Sequence, residues 1–202
     1  MTGYHTGRSL GKKNWVYICS GNIYGTPYQK KEAGIFSTGT VKDAEEFLTW
    51  ANGEMQFFRG ISDRFDLGFR MNSELMFGLM TKYQLVGTRS SDWAIAIGME
   101  YGVLLPARTY AQFPLILSYH SNDHTSFYYS PRFIKEWNNQ NSPQTQINYL
   151  GWNMGFQTGK TTILAMEVGF YRSVRFDADR YLPEKFQEHV LPIVGLGLIV
   201  PF

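Results

Sequence analysis

The chain of 202 residues carries one cysteine, Cys19, which excludes an internal disulfide framework. It holds no apolar run of about 18 residues or more, so no transmembrane helix is written into it. Charge is scarce. Lys, Arg, Asp and Glu make up 18% of the residues, against about 25% in an ordinary soluble domain. The net charge of +2 is too small to imply a nucleic-acid partner. No spacing of metal ligands and no phosphate-cradling glycine loop is present, so no cofactor or metal is expected. No signal peptide is legible at Met1. If the protein is exported, this is a mature or recombinant form.

What the sequence has instead is alternation. In the stretch 92–104, Trp93, Ile95, Ile97, Met99, Tyr101 and Val103 occupy every second position. Between them stand Ala94, Ala96, Gly98, Glu100 and Gly102. Strict period two is the mark of a strand with two different faces. Its length suits a tilted bilayer crossing, which takes about 9–11 residues. The small residues of the second face suit a narrow closed interior better than a solvated surface.

The same pattern recurs along the chain. Strands are predicted at 14–25, 53–60, 64–72, 75–87, 92–104, 112–121, 124–133, 146–158, 161–172 and 192–202. Residues 1–13 form a polar lead-in, and 14–202 a single domain. Within the connection 26–52, Val41, Ala44, Phe47, Leu48 and Ala51 recur at helical spacing, after Thr40 and Asp43 as a capping box. A short amphipathic helix is expected there. The connections 61–63, 88–91, 122–123 and 159–160 are short. Those at 26–52, 134–145 and 173–191 are long, with 73–74 as a short exception. Ten strands in hairpin order, with short turns at one end and long loops at the other, predict an all-β protein. Its architecture is a closed antiparallel up-and-down transmembrane barrel with short periplasmic turns and long extracellular loops. A soluble lipocalin-like barrel or β-sandwich is the rival reading, and it demands apolar residues inside. Trp15, Tyr83, Trp93, Tyr119, Phe127, Trp152 and Phe202 are expected to form two interfacial girdles.

With these strands in hand, the chain resembles small bacterial outer-membrane β-barrels over nearly its whole length. The end, G-L-G-L-I-V-P-F, resembles the C-terminal signal read by the barrel-assembly machinery. Gly197, Val200 and Phe202 match it, and Gly195 stands where a polar residue is usual. The start, T-G-Y-H-T-G-R-S-L-G-K, resembles the segment after the lipidated cysteine of some barrel lipoproteins, without that cysteine. The resemblance implies an outer-membrane location. It also implies contact with outer-membrane lipid and lipopolysaccharide, and with the assembly machinery during biogenesis.

Single residues offer enzymatic readings. His120-Ser121-Asn122 and His124-Thr125-Ser126 are similar to the His-x-Ser of lipid A deacylases, but His120 and Ser121 are adjacent and point to opposite faces. His189 with Asp177 and Asp179 resembles the Asp/His chemistry of omptin proteases without the matching motifs. Cys19 has no His or Asp partner nearby in sequence. No catalytic residue is assigned.

On the inward faces lie Glu54, Asp66, Arg70, Lys82, Glu100, His120, Arg132 and Glu167. Charges of both signs in a closed lumen should pair, and Lys82 is expected to approach Glu100. Large inward residues such as Phe58, Met76, Met80, Tyr128, Tyr149 and Tyr171 predict a plugged interior. The resulting reading is a structural or accessory barrel docking partners through its outer loops. An outer-membrane lipid hydrolase or a narrow pore is the alternative.

Overall fold

Ten strands hydrogen-bond in sequence order and close on themselves, β1 pairing with β10. The computed structural model describes residues 6–30, 44–105, 108–138, 145–174 and 190–202. The strands are β1 Trp15–Lys30, β2 Ala44–Gly60, β3 Phe65–Asn72, β4 Met76–Val86 and β5 Trp93–Leu104. They continue as β6 Arg108–Asn122, β7 Thr125–Asn138, β8 Thr145–Thr158, β9 Ile163–Val174 and β10 Val190–Pro201. Every neighbouring pair is antiparallel. Closure leaves no unpaired sheet edge, which a strand protein in hydrocarbon needs.

Alternation decides which face looks where. In β5, Ile97 is 45% exposed and Glu100 1%. In β3, Leu67, Phe69 and Met71 face out while Asp66 and Arg70 are buried. Large apolar side chains cover the outside, and charged and polar ones gather inside beside smaller apolar clusters, the inverse of what a soluble barrel requires. Small inward residues make room for large ones. A side-chain carbon at Gly102 would lie 2.7 Å from the Tyr110 ring, and one at Gly78 2.8 Å from Glu100 Oε1.

The exterior carries cross-strand aromatic pairs. Trp93 and Tyr119 have ring centroids 4.8 Å apart, Tyr17 and Phe57 4.8 Å, and Phe127 and Phe156 4.9 Å. Arg59 sits over the Trp15 ring at 4.8 Å. Trp15, Tyr83, Trp93, Tyr119, Phe127 and Phe202 all fall at or near the short-turn ends of their strands. They make one belt there. Trp152 departs from the expected second girdle: it is half-buried in mid-strand, between Tyr129 and Phe170.

Two expectations are corrected. Residues 44–51 are strand, not helix, because β2 pairs with β1 residue by residue as far as Lys30↔Ala44. Ladder pairing overrides a helical spacing that has no helix neighbour to pack on; Val41 lies outside the described residues. The strands also run further into the long-loop end than alternation indicated. β6 starts at Arg108, β7 continues to Asn138 and β10 begins at Val190. Pro131 pairs opposite Trp152 within β7.

Candidate functional site

The lumen is the chemically rich part of the molecule. Glu54, Asp66, Arg70, Lys82, Glu100, His120, Arg132 and Glu167 are all buried inside it. Barrel curvature brings them together in groups according to strand.

The first group centres on Arg70 of β3, which has no exposed surface. Its Nη1 lies 2.9 Å from Glu100 Oε2 and its Nε 3.3 Å from Glu54 Oε1. The Tyr110 hydroxyl donates to Glu100 Oε1 at 2.5 Å, Gln112 donates to Glu100, and Gln56 donates to Glu54. Two carboxylates thus share one guanidinium, and neutral donors take up further lone pairs of both.

The second group occupies the opposite wall. Tyr128 Oη and Asn153 Nδ2 each donate to Glu167 at 2.5 Å, and the Tyr171 hydroxyl donates to Asn153. Arg132 Nε donates to Ser130 Oγ at 3.2 Å.

The third group lies at the short-turn mouth and includes a segment that sequence reading left outside the barrel. Residues 6–14 enter the mouth and cross it. Lys82 Nζ pairs with Asp66 Oδ2 at 3.0 Å and donates to Thr6 O at 3.2 Å and Arg8 O at 2.7 Å. Asp66 accepts from Ser9 Oγ at 3.0 Å and from Leu10 N at 3.1 Å. Gln84 Oε1 accepts from Ser9 N at 2.8 Å, and Ser118 Oγ from Gly7 N at 2.9 Å. Arg8 donates to the Ser91 carbonyl at 2.8 and 2.5 Å. Burial opposes the Arg8 charge and pushes its guanidinium down, while Asp123 and Asp92 pull the other way. Leu10 packs on the inward apolar cluster of Val16, Ile18, Ala165 and Ile199.

The expected approach of Lys82 to Glu100 is therefore corrected: Lys82 serves Asp66 and the entering segment, and Arg70 serves Glu100.

The catalytic candidates separate in space. His120 Nε2 lies 3.0 Å from Ser118 Oγ in the lumen, while Ser121 is exposed on the other face. Ser118 also bonds the entering segment through Gly7 N, which covers the pair. His124 is exposed and Ser126 is turned inward toward Gln157 Oε1 at 3.4 Å. Cys19 is a free exposed residue of β1. Asp177, Asp179 and His189 lie outside the described residues. Among the described residues no cluster of His, Cys, Asp or Glu could hold a metal ion. Gly197 is buried on β10 between Ser20 and Ala165, Val200 pairs with Tyr17, and Phe202 exchanges backbone hydrogen bonds of 3.0 Å with Trp15 at the seam.

A closed antiparallel barrel of even strand number, apolar outside and polar inside, is the architecture of outer-membrane barrels. The chain has that architecture, a closed ten-strand barrel with an apolar exterior and a charged lumen. No protein-family model matches the sequence, and no curated protein matches it. Solved structures align over most of their length. The NanC porin is 9% identical, covers 90% of this chain and 98% of its own, and gives a TM-score of 0.49. OprG of Pseudomonas aeruginosa is 13% identical, with 96% and 99% covered and a TM-score of 0.39. The N-terminal barrel domain of Pseudomonas aeruginosa OprF is 10% identical, with 95% and 99% covered and a TM-score of 0.38.

Sequence reading missed Tyr110, which lies on β6 ahead of the expected start of that strand at residue 112, and it missed the entering segment. A signal for the segment was present: Gly7, Ser9 and Gly11 alternate as small residues, and all three are buried.

Proposed function

We propose that the protein is a structural or accessory outer-membrane barrel with a plugged lumen, which meets protein partners through its long-loop end. The observation that carries this reading is Arg70. Its guanidinium sits fully buried in the lumen, tied to β2 and β5 through Glu54 and Glu100. A barrel of about eight strands has an interior that side chains just fill; a ten-strand one is only a little wider, and here the side chains also bond to one another. Strands β1 and β2, of 16 and 17 residues, are the longest of the barrel and run toward the long-loop end, where a partner would find the chain most prominent. Lipid and lipopolysaccharide cover the apolar exterior in this reading, and the β10 end is presented to the assembly machinery.

The experiment is a pair of measurements on the refolded full chain. In planar bilayers it should give no steady conductance. Affinity capture from native outer membranes should return a stoichiometric protein partner. Steady ion conduction would replace the plugged reading with the pore, and capture of lipid alone would remove the accessory role.

A further inference from the structure

The segment crossing the short-turn mouth is held in an unusual way for lumen packing. Thr6 and Arg8 are gripped by their carbonyls, and Gly7, Ser9 and Leu10 by their amides. The gripping groups, Lys82, Ser118, Gln84 and Asp66, are buried side chains of β3, β4 and β6. They address the main chain of the segment, which bends at Gly7 and Arg8, at five consecutive residues. Side chains are read at Ser9, whose Oγ meets Asp66, at Arg8, whose guanidinium meets the Ser91 carbonyl, at Gly7 by fit and at Leu10 on its apolar cluster. A side-chain carbon at Gly7 would lie 2.6 Å from Ala94 O. Main-chain hydrogen bonds for affinity, with side-chain pockets for specificity, are a recurring way of binding peptide segments.

We propose that the short-turn mouth is a binding site for a peptide segment with small residues at alternate positions, Gly-x-Ser-x-Gly, and that the chain's own residues 6–11 occupy it as an exchangeable ligand. Exchange follows from the modest hold. The segment joins no strand ladder over those residues, and the net gain from each hydrogen bond is offset by a comparable cost of ordering the backbone. Anchorage at residues 13 and 14, through Lys13 N to Gly60 O at 3.0 Å and Gly60 N to Asn14 O at 2.9 Å, keeps the freed segment at high local concentration. A partner on that side of the membrane that offers the same pattern competes for the same groups.

The test uses the full chain refolded in bilayers and a dye-labelled synthetic peptide of sequence Thr-Gly-Arg-Ser-Leu-Gly-Lys-Lys. Gly7→Leu should disable the resident segment, so that this variant binds the peptide saturably and about tenfold or more tighter than the wild type. Adding Lys82→Met to Gly7→Leu should abolish that binding. A folded Gly7→Leu barrel without saturable binding overturns the proposal, as does binding that survives Lys82→Met. Hydrogen exchange on the wild type guards against failure of the variant to fold. The Gly7, Ser9 and Leu10 amides should exchange about a hundredfold or more faster than central β5 amides such as that of Met99. Equal protection means the segment never leaves, and the site is not exchangeable.

Discussion

Lys82 Nζ lies 3.0 Å from Asp66 Oδ2, directly opposite it on the β3–β4 ladder, and Glu100 on the other neighbouring strand is left to Arg70. One cation thus bonds both a barrel wall and the carbonyls of the crossing segment. Lys82→Met leaves the Asp66 carboxylate without its ion partner and frees those carbonyls. The expected cost is about 3–5 kcal/mol, the range for removing half of a buried pair. Asp66→Asn with Lys82→Met should cost less than the sum of the single changes. Urea titration of the bilayer-refolded barrel measures both, and additivity would mean the pair is not coupled.

The Arg70 group makes a separate prediction. Glu100→Gln weakens the partner of a fully buried guanidinium and should destabilise the barrel by about 3 kcal/mol. Arg70→Met together with Glu54→Gln in the same chain should recover part of that loss, because no charge of the group is then left alone. Lys82→Met should not, because Lys82 belongs to Asp66. Rescue by Lys82→Met and none by Arg70→Met with Glu54→Gln would reverse the assignment.

The outer face is tested at Ile97. It lies mid-strand on β5 and points outward, so Ile97→Lys should cost about 2–4 kcal/mol, the scale for a cation near the bilayer midplane. Ala96→Ser, next along the strand but turned into the lumen, should change stability by less than about 1 kcal/mol. Refolding yield and denaturant midpoint in vesicles separate the two faces.

Orientation can be read by labelling. In a Cys19→Ser background, cysteine is placed either at Ser73, between β3 and β4, or at Ser90, between β4 and β5. A membrane-impermeant thiol reagent on intact cells should reach Ser73→Cys and leave Ser90→Cys untouched. The opposite outcome would turn the barrel over and put the short turns outside.

Particular residues show what the sequence could disclose. Parity alone put Glu54, Asp66, Arg70, Glu100 and Glu167 inside, because period two leaves an inward position no other choice once the outward face is apolar. Pairing was harder. Lys82 faces both Asp66 and Glu100 from between their strands, and the partner it takes depends on the β3–β4 register and on the carbonyls of Thr6 and Arg8, which alternation does not reveal. Residues 44–51 misled because their spacing also fits a helix; only the partner strand β1 decides. The crossing segment has no apolar face, so the strongest signal in strand reading was silent there.

The crossing segment has a mechanical meaning as well. In a ring of ten strands β6 stands across from β1, and the segment runs from its junction with β1 to Ser118 on β6. It is a chord drawn along a diameter. A tube held by neighbour-to-neighbour ladders resists stretching along its wall far better than flattening, because flattening needs only small changes in the angle between adjacent strands. A chord of fixed length opposes that deformation directly. With the segment seated, the short-turn end should keep a round cross-section under lateral pressure from the bilayer; with it displaced, that end becomes free to turn oval while the wall stays intact.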